Sequence, residues 1–194
     1  MQSRDHYTES TLLEILDCVY TAADNNEVIV QISLDLSAAF DAVDHEILLE
    51  RLQTKFGVEG MLLTWLLSYL DGRTQYVKIG QHLSTAIQLE IGIPQGSVPG
   101  PILFAVYASP VADVIASHGV QYHHVDDTQL RHAMRADNTS VGLSFLAACT
   151  ADIRQWYMQN GLQLNLDKSE VLIVGTAHQL RTATSSMSPT SVCG

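Results

Sequence analysis

Two short strand-forming runs, each leading to aspartate, restrict the possible folds of this chain more than any other feature. The first, Val28 to Leu36, is apolar and β-branched and carries Asp35 near its end; the second, Val120 to Val125, runs straight into Asp126-Asp127. Ahead of them, Thr11 to Asn25 shows apolar residues at helical spacing. Between them, Ser37 is a candidate cap for a helix from Ala38 to about Phe56, and a second helix is expected from about Glu59 to Leu70. Thr74 to Ile79 and Leu83 to Ile91 predict a hairpin around Gly80-Gln81. A loop, Gly92 to Gly100, then leads into a helix from about Pro101 to His118, closed by Gly119. Beyond the aspartate pair, which reads as a tight turn, Thr128 to Met134 is a candidate strand. Asn138 to Asn160 reads as a long helix stopped by Gly161, and Glu170 to Gly175 as a last strand.

With the hairpin treated as an insertion, the main elements run strand, helix, strand, strand, helix, strand. This is the order of a split βαβ, ferredoxin-like antiparallel sheet with packed helices, an α+β fold. In that layout the first and third strands are antiparallel neighbours, so the end of the first meets the start of the third. Asp35 lies at one of these places and Asp126-Asp127 at the other. Three crowded carboxylates repel unless a cation sits among them, and hard oxygen donors suit Mg²⁺ or Mn²⁺. Two such ions about 3.5–4 Å apart can drive in-line phosphoryl transfer. By spacing alone, however, an Asp-Asp pair is more often an ordinary hairpin turn.

Composition pulls the other way. The balance of 10 Lys+Arg against 21 Asp+Glu gives a net charge of -11, the wrong sign for a protein that grips phosphates. Cys18, Cys149 and Cys193 form no CxxC pair, which argues against a disulfide framework or cysteine zinc site and for a reducing compartment. No apolar run at the N-terminus suggests a secretory signal. Ile91 to Ala112 carries no charge, but four prolines favour a loop and buried helix over a membrane span. The expectation is a soluble protein inside the cell, in nucleus or cytoplasm. A zinc or iron hydrolase built on His123, His124, Asp126 and Asp127 is disfavoured because adjacent strand residues face apart.

Four longer stretches settle between these readings. SLDLSAAFDAVDH (Ser33 to His45), GIPQGSVPGPILF (Gly92 to Phe104), HVDDTQL (His124 to Leu130) and NGLQLNLDKSEVLIVG (Asn160 to Gly175) occur in this order. Together they resemble motifs A, B, C and D of reverse transcriptases, most closely those of non-LTR retrotransposons of the LINE type. The resemblance implies a polymerase palm and an RNA-directed DNA polymerase that extends a DNA primer on an RNA template from deoxynucleoside triphosphates. It implies that Asp35, Asp126 and Asp127 ligate two Mg²⁺ or Mn²⁺ ions. Phe40 matches the steric gate against a ribose 2′-OH, and Gln95 and Gly96 match residues near the incoming nucleotide and template. Lys168 matches the lysine proposed to protonate or neutralise departing pyrophosphate. Arg51, Arg73 and Lys78 have no telling spacing and read as solvated surface, while Asp41, Asp44 and His45 read as structural.

Some positions differ from the family pattern. The usual tyrosine-alanine before the aspartate pair is His124-Val125, which sets a smaller ring where the primer end lies and a bulkier residue beside it. Pro99 stands in place of an aliphatic residue. The expected organisation is a remnant of the fingers side over residues 1–27, a palm over 28–176 and a disordered Ser/Thr-rich tail over 177–194. Such a chain reads as a truncated copy lacking thumb and endonuclease, with a catalytically inactive palm remnant as the alternative to a working polymerase.

Overall fold

In a computed structural model of the chain, residues 8–124 and 128–186 are described, apart from some side chains at the start of the first helix and at His123 and His124. In chain order the elements are α1 (Thr8–Asp24), β1 (Glu27–Ser37), α2 (His45–Thr54), α3 (Gly60–Leu70), β2 (Thr74–Gln75), β3 (Lys78–Ile79), β4 (His82–Leu83) and β5 (Ile87–Gln88). There follow α4 (Gly100–Ala108), α5 (Val111–Ser117), β6 (Gln121–His124), β7 (Thr128–Arg135), α6 (Ser140–Gln159), β8 (Gln163–Val174) and α7 (Ala177–Ser186). They fall into two compact units. One takes the described parts of Met1–Asp35, Ile115–Asp152 and Leu166–Gly194; the other takes Leu36–Val114 and Ile153–Asn165.

The main sheet has the order β6-β7-β1-β8. Numbered as first to fourth main strands, this is the ferredoxin-like arrangement predicted from element order. Strand β1 pairs antiparallel with β7 from Glu27 opposite Arg135 to Leu34 opposite Thr128, and β6 pairs antiparallel with β7. Alternation then sorts the side chains. Val28, Val30, Leu34, Leu130 and Met134 share one face and are buried. The other face carries Glu27, Ile29, Gln31, Ser33 and Asp35, opposed by Arg135, Ala133, Arg131 and Gln129. It is mostly polar, and the Arg131 guanidinium ties it together by donating to Gln31 Oε1 at 2.9 Å and Gln129 Oε1 at 3.2 Å. On the apolar face the long helix approaches closely at Gly142, where an added Cβ would lie 2.7 Å from Met134 Cβ.

The structure corrects four expectations. The helix from Ala38 to Phe56 is two things, a turn and then α2. Ala38 takes a left-handed φ of 48°, and its carbonyl accepts from the Asp41 and Ala42 amides at 2.9 and 3.2 Å. Asp44, rather than Ser37, caps α2, its Oδ1 accepting from Ile47 N at 3.0 Å. The helix from Pro101 to His118 is broken into α4 and α5 around Ser109-Pro110, because proline brings no amide to continue the ladder. The last strand begins at Gln163 instead of Glu170, so Lys168 lies in a strand and not a loop.

The fourth correction concerns residues 177–186, expected to be disordered but found as α7. Thr176 and Gln179 form a capping box: Gln179 Oε1 accepts from Thr176 N at 2.8 Å, and Thr176 Oγ1 from Gln179 N at 3.3 Å. Gln179 Nε2 also donates to the Ala23 carbonyl at 2.9 Å, and Gln179 and Ala183 are buried. Residues 187–194 of the expected tail lie outside the described residues. No single helix among the described residues is long and apolar enough to cross a membrane.

Candidate functional site

The predicted site residues divide between the two units. In the first, Asp35 is half-buried near the end of β1, and its amide donates to Ser169 Oγ at 3.3 Å. Ser169 thereby fixes β8 beside the aspartate, a contact that sequence inspection missed although the residue follows Lys168 directly. Lys168 itself is exposed. Asp126 and Asp127, together with their expected turn, lie outside the described residues, as does the side chain of His124. Their described neighbours are placed, however: His124 pairs with Thr128 in the β6–β7 hairpin, and Thr128 faces Leu34. Among the described residues no group of three or more His, Cys, Asp or Glu could hold a metal ion. Asp35 is the one predicted ligand within that set.

A cleft of about 370 Å³ opens in the same unit, lined by Asp17, Cys18 and Thr21 of α1 and by Glu27, Gln121 and Arg131 of the sheet. Cys149 is buried in α6, and burial first, then the charge of Asp152, pushes its thiol up to about 11.

In the second unit, Phe40 sits in the turn before α2, half-buried, with its ring 5.4 Å from that of Phe104 and tilted by 31°. The loop from Gly92 is stitched to this turn by backbone bonds. Gly92 N donates to the Val43 carbonyl and Ile93 N to the Phe40 carbonyl, each at 2.7 Å. Gly92 is required here: φ is 90°, and a Cβ would lie 3.2 Å from the Asp41 carbonyl oxygen. Its own carbonyl accepts from His45 Nε2 and Arg73, both at 2.8 Å, so His45 carries its proton on Nε2. Gln95 is exposed, and its amide donates to the Asp41 carboxylate at 3.3 and 3.4 Å. Gly96 is exposed in a left-handed conformation with open space where a side chain would stand.

Beneath these loops lies a polar knot. Arg51 donates to the Tyr107 carbonyl and to Asn160 Oδ1, and its guanidinium lies over the rings of Tyr107 (4.7 Å) and Trp156 (5.3 Å). Tyr107, wholly buried, donates its hydroxyl to the Asn160 carbonyl at 2.6 Å and accepts from Asp44 N at 3.5 Å. Burial holds the Arg51 pKa below its usual value against the opposing influence of Tyr107 and Glu50, and it raises that of Tyr107. Arg51 and Arg73 are therefore framework residues, not the solvated surface expected of them.

Residues 3–188 match the model of the family described as reverse transcriptase (RNA-dependent DNA polymerase). The chain belongs to the reverse transcriptase family. Among curated reverse transcriptase relatives it is 30% identical over 172 residues to the RNA-directed DNA polymerase from mobile element jockey of Drosophila melanogaster, covering 84% of this chain and 18% of that protein. It is 35% identical over 103 residues to the probable RNA-directed DNA polymerase from transposon X-element of the same organism, covering 53% of this chain and 11% of that one. The chain thus spans less than a fifth of these relatives, and its likeness is to non-LTR retrotransposon reverse transcriptases. Among solved structures, apo telomerase from Candida tropicalis superposes with a TM-score of 0.63 at 14% identity, covering 86% of this chain and 35% of that one. That likeness concerns the fold, and it agrees with a reverse transcriptase palm.

Proposed function

We propose that the chain is the catalytic palm of an RNA-directed DNA polymerase that adds deoxynucleotides to a DNA primer paired with an RNA template. One observation carries this reading. Leu34, which precedes Asp35, lies opposite Thr128, which follows Asp127, so a covalent neighbour of Asp35 and one of Asp127 share one rung of the sheet. Consecutive Cα atoms are about 3.8 Å apart, so this rung supports reading Asp35 and Asp127 as parts of one site. Asp35, Asp126 and Asp127 would hold two Mg²⁺ or Mn²⁺ ions. When bound, such ions lower the barrier to attack by the primer hydroxyl and offset charge on the leaving pyrophosphate.

The remaining roles belong to the chain's own side chains. Lys168, exposed on the strand beside Asp35, is suited to give a proton or a positive charge to pyrophosphate. Phe40 would exclude a ribose 2′-OH by collision. Gly96 leaves room for a nucleotide to approach the backbone, with Gln95 next to it in sequence, and His124 would take the role of the family's primer-end tyrosine. Work on nucleic acid places the chain inside the cell, in nucleus or cytoplasm. The acidic balance of the chain assigns the phosphate grip to other segments of a longer protein.

The test is Mn²⁺ titration followed by NMR. Paramagnetic broadening is expected to centre on the amides of Asp35, Thr128 and Ser169 and to disappear in Asp126→Ala. Synthesis by the 194-residue chain on a primed RNA template is expected to be weak and to vanish in the same variant. Broadening centred elsewhere, or unchanged in Asp126→Ala, sinks the reading.

A further inference from the structure

We infer that Phe104 is a specificity-determining positioning residue: it sets how far the Phe40 ring projects and so how strongly the site prefers deoxyribose to ribose. This rests on the proposed role of Phe40 as the gate. The backbone of Phe40 is held from two directions. Its carbonyl accepts from Ile93 N at 2.7 Å, and the turn around it is closed by the Ala38 carbonyl. What remains free is rotation of the ring about its side-chain bonds. Phe104, 8% exposed on α4, stands against that ring at 5.4 Å.

Gly100 bounds the ring on the same helix. A Cβ there would lie 3.5 Å from Phe40 Cε1, 3.3 Å from the Pro94 carbonyl oxygen and 2.8 Å from Ser97 Oγ. The ring therefore occupies a slot whose floor is Phe104 and whose width depends on a missing side chain. Two aromatic rings in tilted contact resist displacement more than area alone predicts. Discrimination by collision needs such a floor, because a ring that can retreat by about an ångström no longer clashes with one added oxygen. With Phe104 cut back, Phe40 has space to sink toward α4, and a ribose fits.

Competition between dCTP and CTP for the 194-residue chain in Mn²⁺, read with a fluorescent deoxynucleotide, tests this. Phe104→Ala is expected to lower the deoxy-over-ribo preference about tenfold, chiefly by tightening CTP. Phe104→Leu, which keeps most of the volume, guards against a folding failure and is expected to fall between Phe104→Ala and the parent. Ile102→Ala, exposed on the same helix, should leave the preference unchanged. If Phe40→Ala abolishes the preference while both Phe104 variants keep it, the inference fails and the gate stands. If the parent shows no preference, or Phe40→Ala retains it, the gate reading fails and takes the inference with it.

Discussion

The two units reach their local order by different means. In the sheet unit, Asp35 is placed by a continuous antiparallel register, and each residue from Glu27 to Leu34 has a defined partner on β7. In the other unit, Phe40 and Gln95 stand on irregular backbone with no ladder to hold it. Their positions come from individual bonds (two onto the Gly92 carbonyl, one into the Phe40 carbonyl) and from the Arg51 knot underneath. A register spreads its stabilisation over many equivalent contacts, whereas a stitched loop depends on a few unlike ones. Damage should therefore be graded in the first and abrupt in the second.

Three substitutions sharpen this contrast. Leu130→Ala in the sheet core, at a fully buried position, should cost about 2–5 kcal/mol in denaturant unfolding. Below the transition it should leave the Mn²⁺ broadening pattern in place, since backbone pairing survives the cavity. Arg51→Ala should cost about 2–3 kcal/mol, because the buried Tyr107 carbonyl and the Asn160 side chain each lose a charged donor. Its local effect should be larger than its global one, with amide exchange rising at Gly92, Ile93 and Asp44 before it rises in the sheet. An Arg51→Ala chain that loosens β1 as much as the Gly92 loop would break the comparison. Asp44→Ala removes a single helix cap and should cost about 1 kcal/mol, seen as a modest fall in melting temperature.

What sequence could show follows the same division. The apolar, β-branched run of β1 and the order of elements along the chain were enough to predict that β1 and β7 pair antiparallel, the end of one meeting the start of the other. Strand periodicity is a long-range constraint written locally. The turn at Ala38 could not be seen this way, since a left-handed alanine has no composition signal and the surrounding apolar spacing imitates a helix. The α7 helix was legible in principle, through Thr176 and Gln179 at capping-box spacing, but the serine- and threonine-rich stretch masked it. Arg51 and Arg73 were misread because burial of an arginine depends on partners far along the chain, Asn160 in one case and Gly92 in the other. The aspartate pair remains a prediction of resemblance and of register.

The closure at Gly92 also bears on how such a chain tolerates insertion. Between Arg73 and Ile91 the backbone makes a small excursion of four two-residue strands whose residues are all exposed. Its base is sealed by the Leu89 amide on the Arg73 carbonyl, by the Asp44–Ile91 bridge and by the Arg73 guanidinium on Gly92. A segment sealed at its root can be lengthened, shortened or exchanged without transmitting strain to the chemistry beyond it. This excursion is where a tag or reporter domain could be grafted.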